Sequence, residues 1–471
     1  MYQPRIDELS RSLEDAESRK HLSLLMALAS VALCGYLVLR FPLASSLPLI
    51  PAFLSARRYF TSRDEATRLD LLRSFYKRGI QRIENTWQGT GMAGEDYGES
   101  GHLYDHDLNI LGQSSLFELL CTARTEIGRR RLAEFLLVPV TAEEALARQA
   151  AVRELRDRQA LCEEMVSLGT HEFSGVEPDS LRMRIAQPGQ TFPAAIGPIL
   201  LISTGVITLL LLTGAFALVP WPALTPYIVS AFVLYAGIGF LLHEKVRPIL
   251  KSGRDLAPEV AILGQGLTLL SKQTLTSPKL AVLVRSAAEA PGPLRRLERV
   301  THWMKEREKD FFYGLSLYVM LGTHLAMAME RWRAQHGASL PQWIDAWAEF
   351  EALCAIATYA HEHPEDVFPE FGQEISFRAE AIGHPLLTRE RCVANDVRFD
   401  AQTRFWIISG SNMSGKSTLL RSIGTNVVLA LAGAPVRARS LTLAPFHVCA
   451  SISTADSLLE GKSRFMAEVE R

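Results

Sequence analysis

Residues 406–422 read WIISGSNMSGKSTLLRS, and this stretch predicts how the C-terminal part of the chain folds. The fixed positions of the phosphate-loop pattern G-x-x-x-x-G-K-[ST] are filled by Gly410, Gly415, Lys416 and Ser417. The apolar run 405–408 predicts a buried strand, and residues 418–432 predict a helix that stops at Gly433. Strand, loop and helix in this order form the context in which the pattern holds nucleotide phosphates.

The chemistry of the loop suits ATP with Mg²⁺. Glycines let backbone N–H groups point at phosphate oxygens, and the helix N-terminus adds the positive end of its dipole. We expect Lys416 to reach the β- and γ-phosphates and the Ser417 hydroxyl to ligate Mg²⁺. The predicted nucleotide-binding residues are Gly410, Ser411, Asn412, Met413, Ser414, Gly415, Lys416, Ser417 and Thr418. The alternative is a Gly- and Ser-rich turn ahead of a helix.

Composition narrows the class of protein. A chain of 471 residues holds two to four domains. The net charge of −1 gives no overall basic character for nucleic acid, although a local patch stays possible. Six scattered cysteines without a C-x-x-C pair argue against a zinc site or a disulfide framework.

Two uncharged regions predict membrane hairpins. Residues 185–242 contain no Asp, Glu, Lys or Arg and divide at the Val-Pro-Trp-Pro turn 219–222 into two runs, 196–218 and 224–242. Each run is near the ~20 residues that span a bilayer. The alternative is a helical hairpin buried in a soluble core.

A first hairpin is predicted from the uncharged runs 22–39 and 41–56, with a signal peptide as the competing interpretation of the first run. Basic residues flank both hairpins on one side: Arg19, Lys20, Arg57, Arg58 and Arg63 for the first, and Arg182, Arg184, Lys245 and Arg247 for the second. The positive-inside rule therefore predicts a multi-pass protein of the inner (cytoplasmic) membrane, with four spans, both termini and the loop in the cytoplasm.

A third uncharged run, residues 311–329, is interpreted as a buried core helix. A fifth span there would place the phosphate loop outside the cell. The rest of the middle of the chain predicts helices, among them 57–87, 114–158 with a break at Pro139, 255–333 with breaks, and 339–361.

Four segments resemble the MutS family of DNA mismatch repair. Residues 123–157, ARTEIGRRRLAEFLLVPVTAEEALARQAAVRELRD, resemble that family's core domain, and GHPLL (383–387) with VAND (393–396) resembles the start of its ATPase domain. The loop is similar to the family's version, including Asn412 and Met413. Residues 455–468, ADSLLEGKSRFMAE, resemble the segment whose serine, here Ser463, reaches the partner subunit's nucleotide. The resemblance implies catalytic roles for Lys416 and Ser463, a homodimer through the ATPase domains, and DNA as a partner.

The chain also departs from that family. The N-terminus holds a charged helix and a hairpin where the family has a mismatch-reading domain with a Phe-x-Glu wedge. The second hairpin interrupts the core domain. The position at which the family often stacks an aromatic ring on adenine falls at Cys392.

The predicted fold is an α-helical core with two transmembrane helical hairpins, followed by an incomplete α/β P-loop NTPase domain. The predicted domains are 1–60 (charged helix and hairpin), 61–190 (first part of the core), 191–245 (second hairpin), 246–380 (second part of the core) and 381–471 (ATPase domain, cut before the Walker B strand).

The predicted function is an ATP-driven conformational switch at the membrane, acting on DNA or on another protein. The alternative is an ATP-dependent sensor of mismatched or damaged DNA, which needs a basic surface; the dense clusters are 129–131 and 295–299. A transporter of the ABC kind is disfavoured, because the spans contain no intramembrane charge for a substrate path.

We expect the chain to bind ATP without turning it over. A P-loop ATPase needs an apolar strand that ends in an Asp for the Mg²⁺ shell, followed in this family by a Glu that activates water. No such run follows the loop before Arg471, which predicts a fragment or truncated gene model, with a natural non-hydrolysing form as the alternative. Steady-state phosphate release is the measurement. Turnover that disappears in Lys416→Ala would contradict the expectation and reveal an unidentified carboxylate.

Overall fold

The computed structural model describes residues 2–40, 48–99, 101–168, 189–372, 374, 376–403, 405–411, 413–444 and 446–452. Over these residues the chain is mostly helical, as the sequence predicts, and it contains one small mixed sheet. It divides into two compact units. The first comprises Met1–Ser174, Thr274–Leu283 and Ala348–Arg471, and the second comprises Gly175–Gln273 and Val284–Trp347.

The described α-helices are, in chain order, α1 (Gln3–Arg40), α2 (Leu49–Ile83), α3 (Asp105–Leu108), α4 (Leu116–Leu120), α5 (Glu126–Leu137), α6 (Ala142–Arg156), α7 (Gln159–Val166), α8 (Ile196–Ala215), α9 (Trp221–Ser271), α10 (Pro278–Ala288), α11 (Pro291–Glu306), α12 (Asp310–Tyr318), α13 (Leu321–His336), α14 (Leu340–Glu362) and α15 (Lys416–Ala432). The strands are β1 (Glu370–Phe371), β2 (Phe377–Ile382), β3 (Asn395–Phe399) and β4 (Ser440–Leu443).

In the first unit, α1 and α2 form a long antiparallel pair. The buried side chains at the start of α1 alternate at spacings of four and three residues, which keeps one seam of the helix facing its neighbours. They are Tyr2, Ile6, Leu9, Leu13 and Ala16. Leu13 and Ala16 meet Ala66 of α2 in one apolar cluster. From Leu22 onward α1 changes character, because large apolar side chains on several sides of the helix are exposed.

A buried ion pair joins α2 to α14. The Nε and Nη2 atoms of Arg82 each donate a hydrogen bond of 2.6 Å to one carboxylate oxygen of Glu362. The exposed fractions of the two side chains are 6% and 0%. The neighbouring Gly79 faces Tyr2, so the same spot also receives the first turn of α1. One bidentate contact therefore fixes three helices of the first unit.

The sheet has the order β1-β4-β2-β3. β1 runs parallel to β4, while β2 pairs antiparallel with both β4 and β3. The predicted buried strand at 405–408 is wrong: these residues form no strand, and the exposed fractions of Phe405 and Ile407 are 75% and 86%. Apolar side chains alone do not make a strand, because its backbone N–H and C=O groups need partner strands.

In the second unit, α8 and α9 form the predicted second hairpin. The indole of Trp221 packs over Gly214, where a Cβ atom would lie 2.9 Å from the ring, and this contact closes the turn. Most apolar side chains along both helices face outward. α9 continues well beyond the hairpin to Ser271, and α11 packs along this extension.

Within the described residues, three helical segments are long and apolar enough to cross a membrane: Gln3–Leu37, Ile196–Ala215 and Trp221–Ser271. The predicted arm 41–56 is not among them. Residues 41–47 lie outside the described part, and residues 49–56 begin α2, which becomes charged from Arg57 onward.

The interpretation of residues 311–329 as one buried core helix is wrong. α12 and α13 are separate helices that bend by 74° at the break between them. Leu325, Met327 and Met329 of α13 are buried, as expected. The side chains of Phe312, Tyr313, Leu315 and Leu317 in α12 are exposed. Absence of charge therefore did not distinguish a helix facing protein from one facing outward.

Replacing Glu362 by Ala should destabilise the first unit strongly. The guanidinium of Arg82 would stay buried without its partner, and breaking a buried pair costs about 3–5 kcal/mol. The matched control is Glu65→Ala, which removes the exposed Arg19–Glu65 pair between α1 and α2 and should cost about 1 kcal/mol or less. Chemical denaturation of detergent-solubilised protein, followed by circular dichroism, measures both. Equal losses in the two variants would contradict the anchoring role of the Arg82–Glu362 pair.

Candidate functional site

The loop that carries the phosphate pattern leads directly into α15. Gly415 has φ +89°, a left-handed conformation that glycine adopts without strain, and α15 begins at the next residue, Lys416. Gly410 is needed for a different reason, since a Cβ atom there would lie 2.9 Å from Ser414 Oγ. Both fixed glycines of the pattern thus have a physical role in the shape of the loop.

The ammonium group of Lys416 folds back over the loop. Its Nζ atom donates to the carbonyl oxygens of Gly410 at 2.8 Å and Ser411 at 2.6 Å, and lies 3.4 Å from Ser414 Oγ. These contacts hold a positive charge at the mouth of the loop. The position suits an anionic oxygen approaching from solvent, because all of these loop residues are exposed and Lys416 is half-buried.

The first turn of α15 supplies further donors. The first N–H groups of a helix have no acceptor within it, and the aligned peptide dipoles place partial positive charge there. The first hydrogen bond of the helix that reaches back to the loop runs from Leu419 N to Gly415 O, at 2.9 Å. Ser417 and Thr418 are exposed in this turn, so their hydroxyl groups are accessible to a phosphate or a metal ion. The donor set therefore fits the phosphates of ATP with Mg²⁺.

Two predicted site residues cannot be placed. Asn412 and Ser463 lie outside the described residues. Over the part of the chain that the structure describes, no group of three or more His, Cys, Asp or Glu side chains could hold a metal ion. Any Mg²⁺ at the described part of this site would depend on Ser417 and on the phosphates themselves.

α15 is attached closely to the helical core of the first unit. A Cβ atom on Gly424 would lie 2.8 Å from Leu108 Cδ1, and one on Gly433 would lie 2.5 Å from Arg148 Cβ. Arg421 Nε donates to the carbonyl of Asp107 at 2.8 Å. Gly433, just after α15, thus lies at backbone distance from α6, while Gly424 packs on the Leu108 side chain of α3.

The buried side chain of Asn426 secures the other face of α15. Its Nδ2 atom donates to Gly383 O at 2.8 Å, and its Oδ1 atom accepts from Arg437 N at 2.7 Å. The side chain of Arg437 in turn donates to the carbonyls of His384, Pro385 and Leu387. Sequence reasoning missed these residues. A lone amide in the apolar run 423–432 was the one available signal, because a buried amide requires partners.

Burial, together with the nearby cations Arg421 and Arg437, lowers the pKa of His384 to about 4. The ring is therefore neutral at physiological pH, and its Nδ1 atom accepts from Leu386 N at 3.2 Å. We assign it a structural role in holding the segment 383–387.

Cys392, the position predicted to face the base, lies against this segment. Its Sγ atom accepts from His384 N at 3.2 Å. A cavity of about 260 Å³ beside it is bounded by Glu365, Arg389, Arg437 and Arg439. The surroundings are polar and charged, and the sulfur offers no flat surface on which an adenine ring could stack.

A larger groove of about 1160 Å³ lies beside α15 in the first unit. Its lining includes Phe377 and Phe399 of the sheet, Leu420 and Ile423 of α15, and residues 446–452. None of the described loop residues, 410–411 and 413–417, lines it. The groove is separate from the predicted phosphate site, and it exposes the apolar side of α15 next to the region where the predicted strand did not form.

Comparison with known proteins finds similarity in the part of the chain that contains this loop. Residues 406–471 match the model of the family MutS domain V, a range that includes the loop, α15 and β4. The chain is 29% identical over 201 residues to the DNA mismatch repair protein MutS of Geobacillus sp. (strain WCH70), and equally to that of Geobacillus thermodenitrificans (strain NG80-2). The aligned region covers 41% of this chain and only 23% and 22% of those relatives. The domain match and the two relatives together support a relationship to the MutS family over about 200 residues, less than a quarter of the length of those relatives.

Proposed function

We propose that this protein binds ATP with Mg²⁺ at residues 410–418 and acts as an ATP-driven conformational switch anchored in the membrane. One observation carries the proposal: the helix that begins at the phosphate loop packs at backbone distance on the helical core that also holds α1 and α2. ATP supplies a γ-phosphate whose negative charge can favour one conformation of the loop over another.

The first step of the proposal is phosphate binding. The loop carbonyls of Gly410 and Ser411 hold the Lys416 ammonium at the site, and the first turn of α15 adds unpaired backbone donors. Ser417 offers the hydroxyl that would ligate Mg²⁺. The site is therefore positively charged where a triphosphate carries its negative charge.

The second step is transmission from α15 to the core. Arg421 bonds α15 to the carbonyl of Asp107 in α3, and Gly433 at the end of α15 lies against the backbone of α6, so a movement of α15 would displace both. α5 is attached to the same core. Just before α5 begins, the backbone nitrogens of Arg124 and Thr125 donate hydrogen bonds of 3.3 Å to the buried carboxylate of Glu351 in α14. Close-packed interiors transmit displacement because they have no free volume to absorb it.

The third step connects the core to the apolar half of α1 and α2. The Arg82–Glu362 pair holds α2 on α14, and Tyr2 starts α1 at the same place. From there both helices run as a pair towards the exposed side chains that begin at Leu22. A movement of the core would reach this apolar end through two continuous helices.

Membrane anchoring is proposed because the exposed apolar surface is too large for water. On α9 alone the exposed fractions of Phe240 and Leu241 are 82% and 77%. Contiguous apolar patches above a few hundred Å² mark binding or membrane surfaces. The basic flanks, among them Arg57, Arg58, Lys245 and Arg247, support a cytoplasmic position for the proposed ATP site by the positive-inside rule. Pairing of two ATPase domains through Ser463 completes the proposal and rests on the resemblance of segment 455–468.

Action on DNA is the second candidate, since the relatives are named as DNA mismatch repair proteins. The cluster 129–131 gives it little support, because Arg129 pairs with Glu126 at 3.8 Å and Arg131 with Glu134 at 3.3 Å. Arg295, Arg296 and Arg299 are exposed on α11 and offer the better surface for phosphates.

Lys416→Ala should remove ATP binding. The variant loses a cation that would make at least two charge-assisted hydrogen bonds of about 1.5–3 kcal/mol each, so affinity should fall about a hundredfold or more. Isothermal calorimetry with ATP and Mg²⁺ measures this. Arg378→Ala is the matched control, because it removes an exposed cation of β2 that faces Arg398 across the sheet. Unchanged affinity in Lys416→Ala would refute the site.

Hydrogen exchange on the same samples tests the switch. Saturating ATP should slow amide exchange in α5 and α6 as well as in the loop, and Lys416→Ala should abolish both effects. Protection confined to residues 410–418 would mean that the protein binds nucleotide without transmitting the change to its core.

We expect no preference for mismatched over perfect duplex. Gel-shift titration at one fixed salt concentration compares the two DNAs, with Arg296→Ala as the variant that reports a contribution of α11. A tenfold preference for the mismatch, about 1.4 kcal/mol, would favour the mismatch-sensor function over the membrane switch. Equal weak binding that falls with salt would indicate contact with phosphates only.

A further inference from the structure

We propose that α12 and the turn after it form a re-entrant element, which enters the bilayer from the cytoplasmic side beside the α8–α9 hairpin and turns back inside it. The partner is therefore lipid. This inference rests on the proposed membrane anchoring and lies entirely within the second unit of the chain.

The path of the chain points towards the hairpin. α11 packs on the extension of α9, with Leu294 Cβ 3.7 Å from a Cβ atom on Gly264, and with Met304 further along against Gly253. From Gly264 to Gly253, α9 approaches its own apolar segment by about 16 Å, at 1.5 Å per residue. α11 thus runs along α9 in the direction of the hairpin, and Glu308, just after its end, still pairs with Arg254 of α9 at 2.9 Å. α12 covers the remaining distance to the hairpin.

Hydrogen bonds attach the end of α12 to the interior of the hairpin. The Tyr235 hydroxyl donates to the carbonyl of Tyr318 at 2.7 Å, and the Tyr318 hydroxyl lies 2.8 Å from Thr208 Oγ1. Thr204 Oγ1 donates to the Tyr235 hydroxyl at 2.9 Å. Met320 reaches Gly239 with its methyl group. These contacts lie well inside both hairpin helices, far from the Trp221 turn.

The depth follows from helix geometry. α9 rises about 21 Å from Trp221 to Tyr235, and α8 rises about 18 Å from Ile196 to Thr208. In a hydrocarbon layer of about 30 Å, these values place Tyr318 roughly 10–18 Å from the cytoplasmic boundary. α12 has nine residues, a length of about 13 Å. The helix is long enough to reach that depth with Lys309, which is exposed, left at the surface.

The surface of α12 is suited to lipid. Phe312, Tyr313, Leu315 and Leu317 are exposed, and they continue the exposed apolar faces of α8 and α9. Residues 312–329 carry no Asp, Glu, Lys or Arg. Broken backbone at membrane depth is tolerated only where its polar groups find protein partners. The Tyr235 hydroxyl provides that partner at the break, where Met320 has φ +44°.

The chain returns to the side from which it entered. In α13, Met327 and Arg331 lie within 4 Å of a Cβ atom on Gly197, in the first turn of α8. The charged residues Arg331 and Arg333 then follow. Entry at Lys309 and exit beside the start of α8 describe a re-entrant element and not a further span, which keeps the phosphate loop on the cytoplasmic side.

Site-directed spin labelling of the full chain in vesicles tests the proposal. Cysteine replaces Leu315 in a background in which Cys34, Cys392 and Cys449, the three cysteines that are not buried, are changed to Ser. Leu209→Cys in α8 is the lipid reference, and Arg295→Cys in α11 is the aqueous reference. The Leu315 label should match Leu209, with collisions with a water-soluble nickel complex at least about tenfold below those at Arg295. A label at Leu317 should read deeper than one at Tyr313.

The outcomes distinguish a failure of the re-entrant element from a failure of the membrane anchoring. A nickel collision rate at Leu315 equal to that at Arg295, with Leu209 still shielded, would overturn the re-entrant element alone. An aqueous reading at Leu209 would overturn the membrane anchoring and this inference with it. Gln335→Cys should react with an impermeant maleimide only when the reagent has access to the cytoplasmic side of the membrane. Reaction from outside sealed cells would show a full span and would also overturn the re-entrant element.

Discussion

The bidentate contact between Arg82 and Glu362 is the constraint on which the first unit depends. It joins residues 280 positions apart in sequence, and both charges are removed from water. Such a pair adds little net stability compared with apolar packing, but it tolerates only one geometry, because either partner alone would be a buried charge. Tyr2 and Gly79 pack against the same spot, so α1, α2 and the end of α14 must meet there. β1 follows α14 in the chain, so the sheet beside α15 begins close to the Arg82–Glu362 contact.

The same unit links a loop to an apolar helix pair through close contacts and not through flexible joints. Gly424 packs on Leu108 of α3 and Gly433 on the backbone of α6, while Asn426 and Arg437 attach the other face of α15 to segment 383–387. Each of these contacts is either packed without free volume or hydrogen-bonded with a fixed direction. An arrangement of this kind has few intermediate positions, so under the proposed function a ligand that shifts the loop would displace the core as a whole.

Elements that depend on a local sequence pattern were predicted correctly. Predictions failed for elements and contacts that depend on residues far away in the chain. Motif spacing and the Gly433 stop predicted the loop and α15 almost to the residue, and the loss of charge over 185–242 predicted the α8–α9 hairpin. The strand at 405–408 did not form, because a strand is defined by its neighbours and not by its own side chains. The sequence did not predict the contacts of Arg82, Glu362 and Arg437, because the partners of these residues lie far away in the chain. Residues 311–329 were misassigned because an uncharged run is compatible with burial in protein and with exposure to lipid alike.

Two of these departures have one physical cause, the requirement that backbone polar groups find partners. At 405–408 the chain is apolar but lacks a neighbouring strand over the described residues, and it stays irregular and exposed, where water can satisfy its N–H and C=O groups. At Tyr318 the helix also breaks, yet the freed carbonyl receives the Tyr235 hydroxyl, and Thr204 and Thr208 complete the network. Hydroxyl side chains in an apolar hairpin lower its mean hydropathy. By hydropathy alone they therefore argue against a membrane span. Under the proposed membrane anchoring their position around one broken turn accounts for their presence, because in lipid the only alternative to such partners would be an unsatisfied carbonyl.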